Sequence, residues 1–295
     1  MKLSEIPGAE FTPQKDLKSG TTFRLEATAD YLEVKTIEAL QTALPLLHSQ
    51  NTPYLILGWG ANQILPPRYP GVVIHLDFYH DEAELSVARD LYTLPASLGL
   101  NYLTAHAVKF GLKGWEVFTG IPASLGGAIY MNAGTNLGEI GDLVTEVTLV
   151  TPAGNLRTEK IHKGSFSYRK NYFVGPGEVI VGAKLKHLGL DELIPEKIKS
   201  YLEYRKTTQP LATKNCGCVF KNPMKEMPAG KLIDLLGLKN LKVGGLKVSS
   251  KHANFVENHG ESNWDHFRTL TETIKFEMDV FYGIEFELEV KIPYP

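Results

Sequence analysis

Two hydrophobic periods alternate over the first eighty residues. LEVK at 32–35 has a strand pattern, and after Thr36 the apolar residues Leu40, Leu44 and Leu47 recur on one helical face. Two apolar runs follow, YLILG at 54–58 and VVIHL at 72–76. Strand, helix, strand predicts a crossover unit. From 81 to 190 the pattern changes. A helix over about 97–110 leads into GWEVFTGIPASLGGAIYMNAG, dense in small residues, and then into the short runs VTEVTLVT, NLRTE, SFSYR and EVIVGAKLKHL. Such runs predict a mainly antiparallel sheet.

A third region opens near Pro195, which suits the first turn of a helix, and IPEKIKSYLEYRK continues that helix to just before Pro210. A helix at 229–236 stops at Gly237. Ser262 with Asp265 resembles a capping box. It opens a long helix whose stripe is Phe267, Leu270, Ile274 and Phe281. In the final IEFELEV, Ile284, Phe286, Leu288 and Val290 alternate with Glu285, Glu287 and Glu289, as in a strand with one face inward. The chain reads as α+β, in three lobes at 1–80, 81–190 and 195–290.

Composition narrows the class. In 295 residues, 43% are apolar and 22% charged, enough apolar material for more than one packed core. Lys and Arg total 31 against 33 Asp and Glu. That balance lacks the basic excess that drives binding to nucleic acid or anionic membranes, and neither is an expected partner. Cys216 and Cys218 are the only cysteines, too few and too close for a disulfide framework. No apolar run approaches the ~20 residues that cross a bilayer. The opening MKLSEIPGAEF lacks the apolar core of a signal peptide, so a cytoplasmic protein is expected.

Five places carry candidate chemistry. Gly58-Trp59-Gly60-Ala61-Asn62 follows a strand and reads as a tight turn or as a phosphate cradle. Gly120-Ile121-Pro122-Ala123-Ser124-Leu125-Gly126-Gly127, with Asn132-Ala133-Gly134 beyond it, either packs two backbones closely or lays a flat ligand on the main chain. Tyr168-Arg169 either offers a planar cation suited to carboxylate or phosphate or is an ordinary surface Arg, the commoner case for an isolated Arg. In Asn215-Cys216-Gly217-Cys218-Val219-Phe220-Lys221-Asn222-Pro223 the C-x-C pair is poor zinc spacing, even with His252 added, and no metal is expected. Cys216 reads as a buried structural thiol. Glu289 is a candidate if something nearby uses it, whereas Lys251-His252-Ala253-Asn254-Phe255 looks like an ordinary turn into a strand.

In register, these pieces resemble one family, the UDP-N-acetylenolpyruvoylglucosamine reductases. The resemblance runs through TTFR at 21–24, LGWGAN, GWEVFTGIPASLGGAIYMNAG, FSYRKNYF, GCVFKNP, AGKLID, VSSKHANFVEN and GIEFELEV. The length resembles the shorter type, without an extra substrate-covering loop and its Tyr. The resemblance implies a two-lobed FAD-binding fold of the vanillyl-alcohol-oxidase/PCMH type plus a C-terminal α+β substrate-binding domain. It also implies a sugar-nucleotide substrate, FAD as cofactor and NADPH as co-substrate. A monomer is expected.

By position in the motifs, Gly58, Trp59, Gly60, Ala61, Asn62, Gly120, Ile121, Pro122, Ser124, Gly126, Gly127, Asn132 and Gly134 fall to the cofactor. Tyr168, Arg169, Gln209, Lys221 and Asn222 fall to the substrate. In the reaction so implied, hydride passes from flavin N5 to C3 of an enolpyruvyl group and a proton reaches C2. Arg169 and Glu289 face the substrate carboxylate. Cys218 stands where the family usually has Ser as proton donor, and a thiol gives up its proton more readily than an aliphatic hydroxyl. Trp59 and Ala61 depart from the Gly and Ser favoured in the loop, GIPA replaces GIPG, and YRKN replaces YR-x-S. Two rival readings stay open: a related FAD-dependent oxidase, and an inactive flavin- or nucleotide-binding homologue.

Overall fold

The structure, a computed structural model, describes residues 1–224 and 226–293. The chain folds as two compact units. Met1–Pro13, Asp30–Trp59 and Pro70–Leu202 form the first, and Gln14–Ala29, Gly60–Tyr69 and Glu203–Pro295 the second.

The first unit has two hydrophobic cores. Strands β1 (Ala9–Asp16), β2 (Thr28–Val34), β3 (Tyr54–Ile56) and β4 (Arg68–Leu76) form a sheet in the order β1-β2-β4-β3. Helix α1 (Ile37–Ser49) is capped by Thr36, whose Oγ1 accepts from the Ala39 amide at 3.1 Å. Its stripe of Leu40, Leu44 and Leu47 is fully buried with Val72 and Ile74. Burying each leucine contributes about 1.5–3 kcal/mol. Strands β3 and β4 pair in parallel, and α1 joins β2 to β3, which lie on either side of β4 in the sheet.

The second core of this unit lies on an antiparallel sheet. It is built from β5 (Leu91–Pro95), α2 (Leu100–Phe110), α3 (Leu125–Tyr130), the short pair β6 (Gly134–Thr135) and β7 (Gly138–Glu139), then β8 (Val144–Val150) and β9 (Leu156–Lys160). A second short pair, β10 (Phe166–Ser167) and β11 (Lys170–Asn171), precedes β12 (Val179–Lys186). The sheet order is β5-β12-β8-β9. Helix α2 starts at Leu100, later than the pattern suggested, because residues 96–99 pair instead with the small-residue segment. The Leu125 amide donates to Leu98 O at 2.7 Å and the Gly126 amide to Ala96 O at 2.8 Å. The next helix is α4 (Ile194–Thr208), with Pro195 in its first turn.

The core of the second unit is built on α5 (Ala229–Leu235), the antiparallel sheet β13 (Lys242–Val243), β14 (Leu246–Val248) and β15 (Val256–Asn258), and α6 (Trp264–Tyr282). Phe267, Leu270, Ile274 and Met278 of α6 pack with Val219, Phe220, Leu232 and Val248, and with Phe23, Leu25 and Ile64 from earlier in the chain. Phe23 meets Phe267 edge-on, centroids 5.6 Å apart.

Three local expectations are corrected here. The α6 cap is Asn263, whose Oδ1 accepts from the His266 amide at 2.9 Å, because the Ser262 hydroxyl is committed to Asn258 Oδ1. Phe281 is 65% exposed, since the buried stripe continues through Met278. IEFELEV buries Phe286 and Val290 as its alternation predicts, but it forms only isolated bridges, Phe220 with Leu288 and, just beyond it, Gln63 with Lys291. The amides of Glu289 and Val290 both point at Val219 O, at 2.8 and 3.4 Å, which breaks a regular ladder.

Candidate active site

In the first unit, the loop after β3 meets the segment that opens α3. A Cβ on Gly58 would lie 2.6 Å from Ser124 Oγ, so a side chain there would displace that hydroxyl. Ser124 caps α3, accepting from the Gly127 amide at 3.4 Å. A Cβ on Gly126 would come within 2.8 Å of the Ala96 methyl. Close backbone packing thus accounts for Gly58 and Gly126. Gly120, Pro122 and Gly127 are exposed, and Ile121 is half-buried. Trp59 lies against Gly99, where a Cβ would stand 2.4 Å from its ring. The surface at Gly120 and Gly127 is therefore main chain without side chain, the kind that a flat, anionic cofactor such as FAD can approach. These residues fit the group.

Asn132 and Gly134 come together in this unit with Arg169, which lies 35 residues beyond Gly134. Tyr168 and Arg169 are the two-residue turn between β10 and β11, and Arg169 holds φ +55 in the left-handed region. Its guanidinium donates to Gly134 O at 2.9 Å and Asn132 O at 3.4 Å, stands 3.8 Å from Glu139 and lies over the Tyr168 ring. Asn132, also at positive φ, is buried. Its Nδ2 donates to Glu139 Oε2 at 2.7 Å and to Ser167 O at 3.0 Å, while its Oδ1 accepts from the Gly141 amide. The side chain of Asn132 is thus a clamp, with all three of these hydrogen bonds made inside the protein.

In the second unit, Cys218 sits at the centre of a three-way backbone junction. Upstream, Asn215 shapes the turn. Its Oδ1 accepts from the Gly217 amide at 3.0 Å, its carbonyl takes the Thr22 hydroxyl at 2.7 Å, and Gly217 adopts φ +75. Cys218 bridges Phe255, the Val219 amide donates to Asn254 O, and the Glu289 amide donates to Val219 O, each of the last two at 2.8 Å. Asn62 completes the tie, with Nδ2 on Glu289 O at 3.3 Å and its carbonyl accepting from the Lys291 amide at 2.9 Å. Gly60, at φ +61, has no room for a Cβ, which would lie 2.3 Å from Gly20 O. Ala61 is half-buried beside it.

Electrostatics separate the two thiols. Cys216 is buried, and burial pushes its pKa up to about 12, with the nearby Cys218 and Glu289 adding to the rise. Cys218 is partly exposed. Lys221 pairs with Glu287. Burial and the Lys221 charge hold the Lys291 ammonium below its ordinary range, against the pull of Glu287 and Glu289. Asn222 Oδ1 accepts from the Ala229 amide at the start of α5, and Gln209 Oε1 accepts from Arg205 Nε at 2.9 Å. His252 is held below its usual pKa by burial, and its Nδ1 accepts from the Asn254 amide. No group of three or more metal-ligating side chains is gathered among the described residues.

The sequence reading missed the buried asparagines Asn254 and Asn258. Asn258 Nδ2 donates to Phe23 O at 2.8 Å and so holds the TTFR segment in place. An Asn flanked by apolar residues, as in Ala253-Asn254-Phe255-Val256, was the available signal. A polar group in such a setting must find partners.

Known proteins resemble this chain along nearly its whole length. A family model described as the UDP-N-acetylenolpyruvoylglucosamine reductase C-terminal domain matches residues 209–293, and an FAD binding domain model matches 29–159. The chain is 35% identical to UDP-N-acetylenolpyruvoylglucosamine reductase of Chlamydia pneumoniae, over 93% of this chain and 89% of that one. It is 33% identical to the enzyme of that name from Streptococcus agalactiae, over 98% and 96%. The crystal structure of UDP-N-acetylenolpyruvylglucosamine reductase from Thermus caldophilus superposes with a TM-score of 0.81 at 29% identity, covering 97% of this chain and all of that one. The α+β fold, an FAD-binding part followed by a substrate domain, is that of these enzymes. The chain belongs to the UDP-N-acetylenolpyruvoylglucosamine reductase family of flavin-dependent oxidoreductases.

Proposed function

We propose that the chain reduces UDP-N-acetylglucosamine enolpyruvate to UDP-N-acetylmuramate, consuming NADPH, in peptidoglycan precursor synthesis. The observation that carries the residue assignment is the junction at Val219, which hydrogen-bonds the backbones of the Cys218 and Glu289 segments directly. The chemistry FAD supplies when bound is the relay of a hydride from NADPH to C3 of the enolpyruvyl group. The loops at 58–62 and 120–127, with Asn132 and Gly134, hold the cofactor mainly through main-chain groups.

Negative charge grows on the substrate carboxylate as hydride arrives, so fixed donors aimed there lower the barrier. Arg169 serves this role, its guanidinium already anchored on the carbonyls of Asn132 and Gly134. Glu289 faces the same carboxylate as the protonated acid or through water. The Cys218 thiol then gives its proton to C2 and recovers one from solvent. Tyr168, Gln209, Lys221 and Asn222 grip the sugar nucleotide. Lobes at 1–80, 81–190 and 195–290 remain our working division, for a monomer acting in the cytoplasm. No helix among the described residues is long and apolar enough to cross a membrane.

The test is spectroscopic. The purified protein is yellow, NADPH bleaches it without oxygen, and the enolpyruvyl substrate restores the colour. A colourless protein that takes up no flavin on reconstitution refutes the proposal.

A further inference from the structure

Asn254 is 2% exposed and pairs both ways with the main chain of one residue, Phe220. The Phe220 amide donates to its Oδ1 at 2.9 Å, and its Nδ2 donates to Phe220 O at 2.8 Å. Its own carbonyl accepts from the Val219 amide at 2.8 Å, and its neighbour Phe255 bridges Cys218. A carboxamide carries a donor and an acceptor in one plane, as a peptide group does, so it adds a rung where the 252–255 turn has no backbone left to offer. On the other side, Val219 O accepts from the Glu289 amide and the Lys221 amide donates to Glu287 O. The main chain of 218–221 is thereby held between one asparagine and the strand that bears Glu289.

We infer that Asn254 is a positioning residue, setting the direction of the Cys218 thiol relative to Glu289 for the protonation step. The inference rests on Cys218 as proton donor. An apolar side chain in its place would leave the Phe220 amide and carbonyl without these partners, so the carboxamide's hydrogen bonds and not its bulk are what the site uses. What the amide adds is a fixed path for the backbone on either side of the thiol.

The test follows the two half-reactions of the FAD-loaded enzyme by anaerobic stopped flow. Asn254→Ala should bleach with NADPH at close to the wild-type rate and recolour with substrate about tenfold or more slowly. Asn254→Asp keeps the acceptor for the Phe220 amide and loses the donor. Relative to wild type at each pH, its recolouring should recover as acid restores a proton to the carboxyl, a response that a loss of folding would not give. In a Cys218→Ala background, Asn254→Ala should slow recolouring no further, because both changes remove the same step. An equal loss in both backgrounds would reduce Asn254 to a structural residue and overturn the inference. So would a wild-type recolouring rate in Asn254→Ala. Normal recolouring in Cys218→Ala alone would bring down the donor assignment, and the inference with it. If Asn254→Ala does not fold, the Asp variant carries the same comparisons.

Discussion

The main-chain amide of Glu289 donates to the carbonyl of Val219 at 2.8 Å, one peptide unit from Cys218. The residues that carry a carboxylate and a thiol, separated by 71 positions in sequence, are thus held on hydrogen-bonded backbones.

Substitution at Cys218 tests the donor directly. Cys218→Ser should retain substantial turnover, since a hydroxyl can fill the same place. Cys218→Ala should cut flavin reoxidation by substrate to a small residual rate and leave reduction by NADPH intact. Stopped-flow absorbance at the flavin band separates the two, and normal turnover in the Ala variant removes Cys218 from the mechanism.

Arg169 is held by two carbonyl oxygens, and that geometry makes its charge specific. Arg169→Ala should slow reoxidation by about 10²–10³-fold with little change in NADPH reduction. Arg169→Lys should not rescue it, because one ammonium cannot span the Asn132 and Gly134 carbonyls as the planar fork does. Near-normal reoxidation in either variant excludes it.

The two thiols should differ in reactivity and in their effect on stability. At pH 8 an aromatic disulfide reagent should titrate Cys218 in the folded protein and reach Cys216 only in denaturant. The Cys216 pKa moves from 9.0 unfolded to about 12 folded, so above pH 9 the folded state keeps a proton that the unfolded state has lost. Stability then falls as pH rises, by about 1.4 kcal/mol per pH unit between roughly 9 and 12, and is untouched below. Urea unfolding of wild type against Cys216→Val at pH 8 and 10.5 measures this. A pH-independent difference contradicts it.

Asn132 should prove irreplaceable for folding even by its acid. Asn132→Asp turns a donor pair into an acceptor facing Glu139 Oε2 and Ser167 O. A loss of about 2–4 kcal/mol follows, with partial recovery in acid, and calorimetric melting at pH 7 and 5 reads both. An unchanged melting temperature counts against the clamp.

Much of this fold was written in local patterns. Thr36 and the stripe Leu40, Leu44 and Leu47 specify α1 without reference to anything distant, and the short β-like runs after residue 140 form the antiparallel sheet. The cap of α6 went to Asn263 because Ser262 is drawn to Asn258, a partner that no sequence window contains. IEFELEV has strand alternation without a strand, since a ladder depends on the register of its neighbour and Val219 takes two of its amides. Within the candidate site, Arg169, Cys218 and Glu289 were marked by the family resemblance. The apolar flanks of Asn254 hinted at its burial but not at its partner, the backbone it grips 34 residues away.

The second unit draws its core from stretches that leave the ribosome far apart in time. Phe23 O waits for Asn258 Nδ2 across 235 residues. At roughly 5–20 residues per second, that wait is about 10–50 s. Until then Phe23, Leu25 and Ile64 have no core to enter. The nascent chain is therefore sticky for most of its synthesis, and a substitution that weakens this late closure should show itself first as poor yield in the cell, before any change in the finished enzyme's rate.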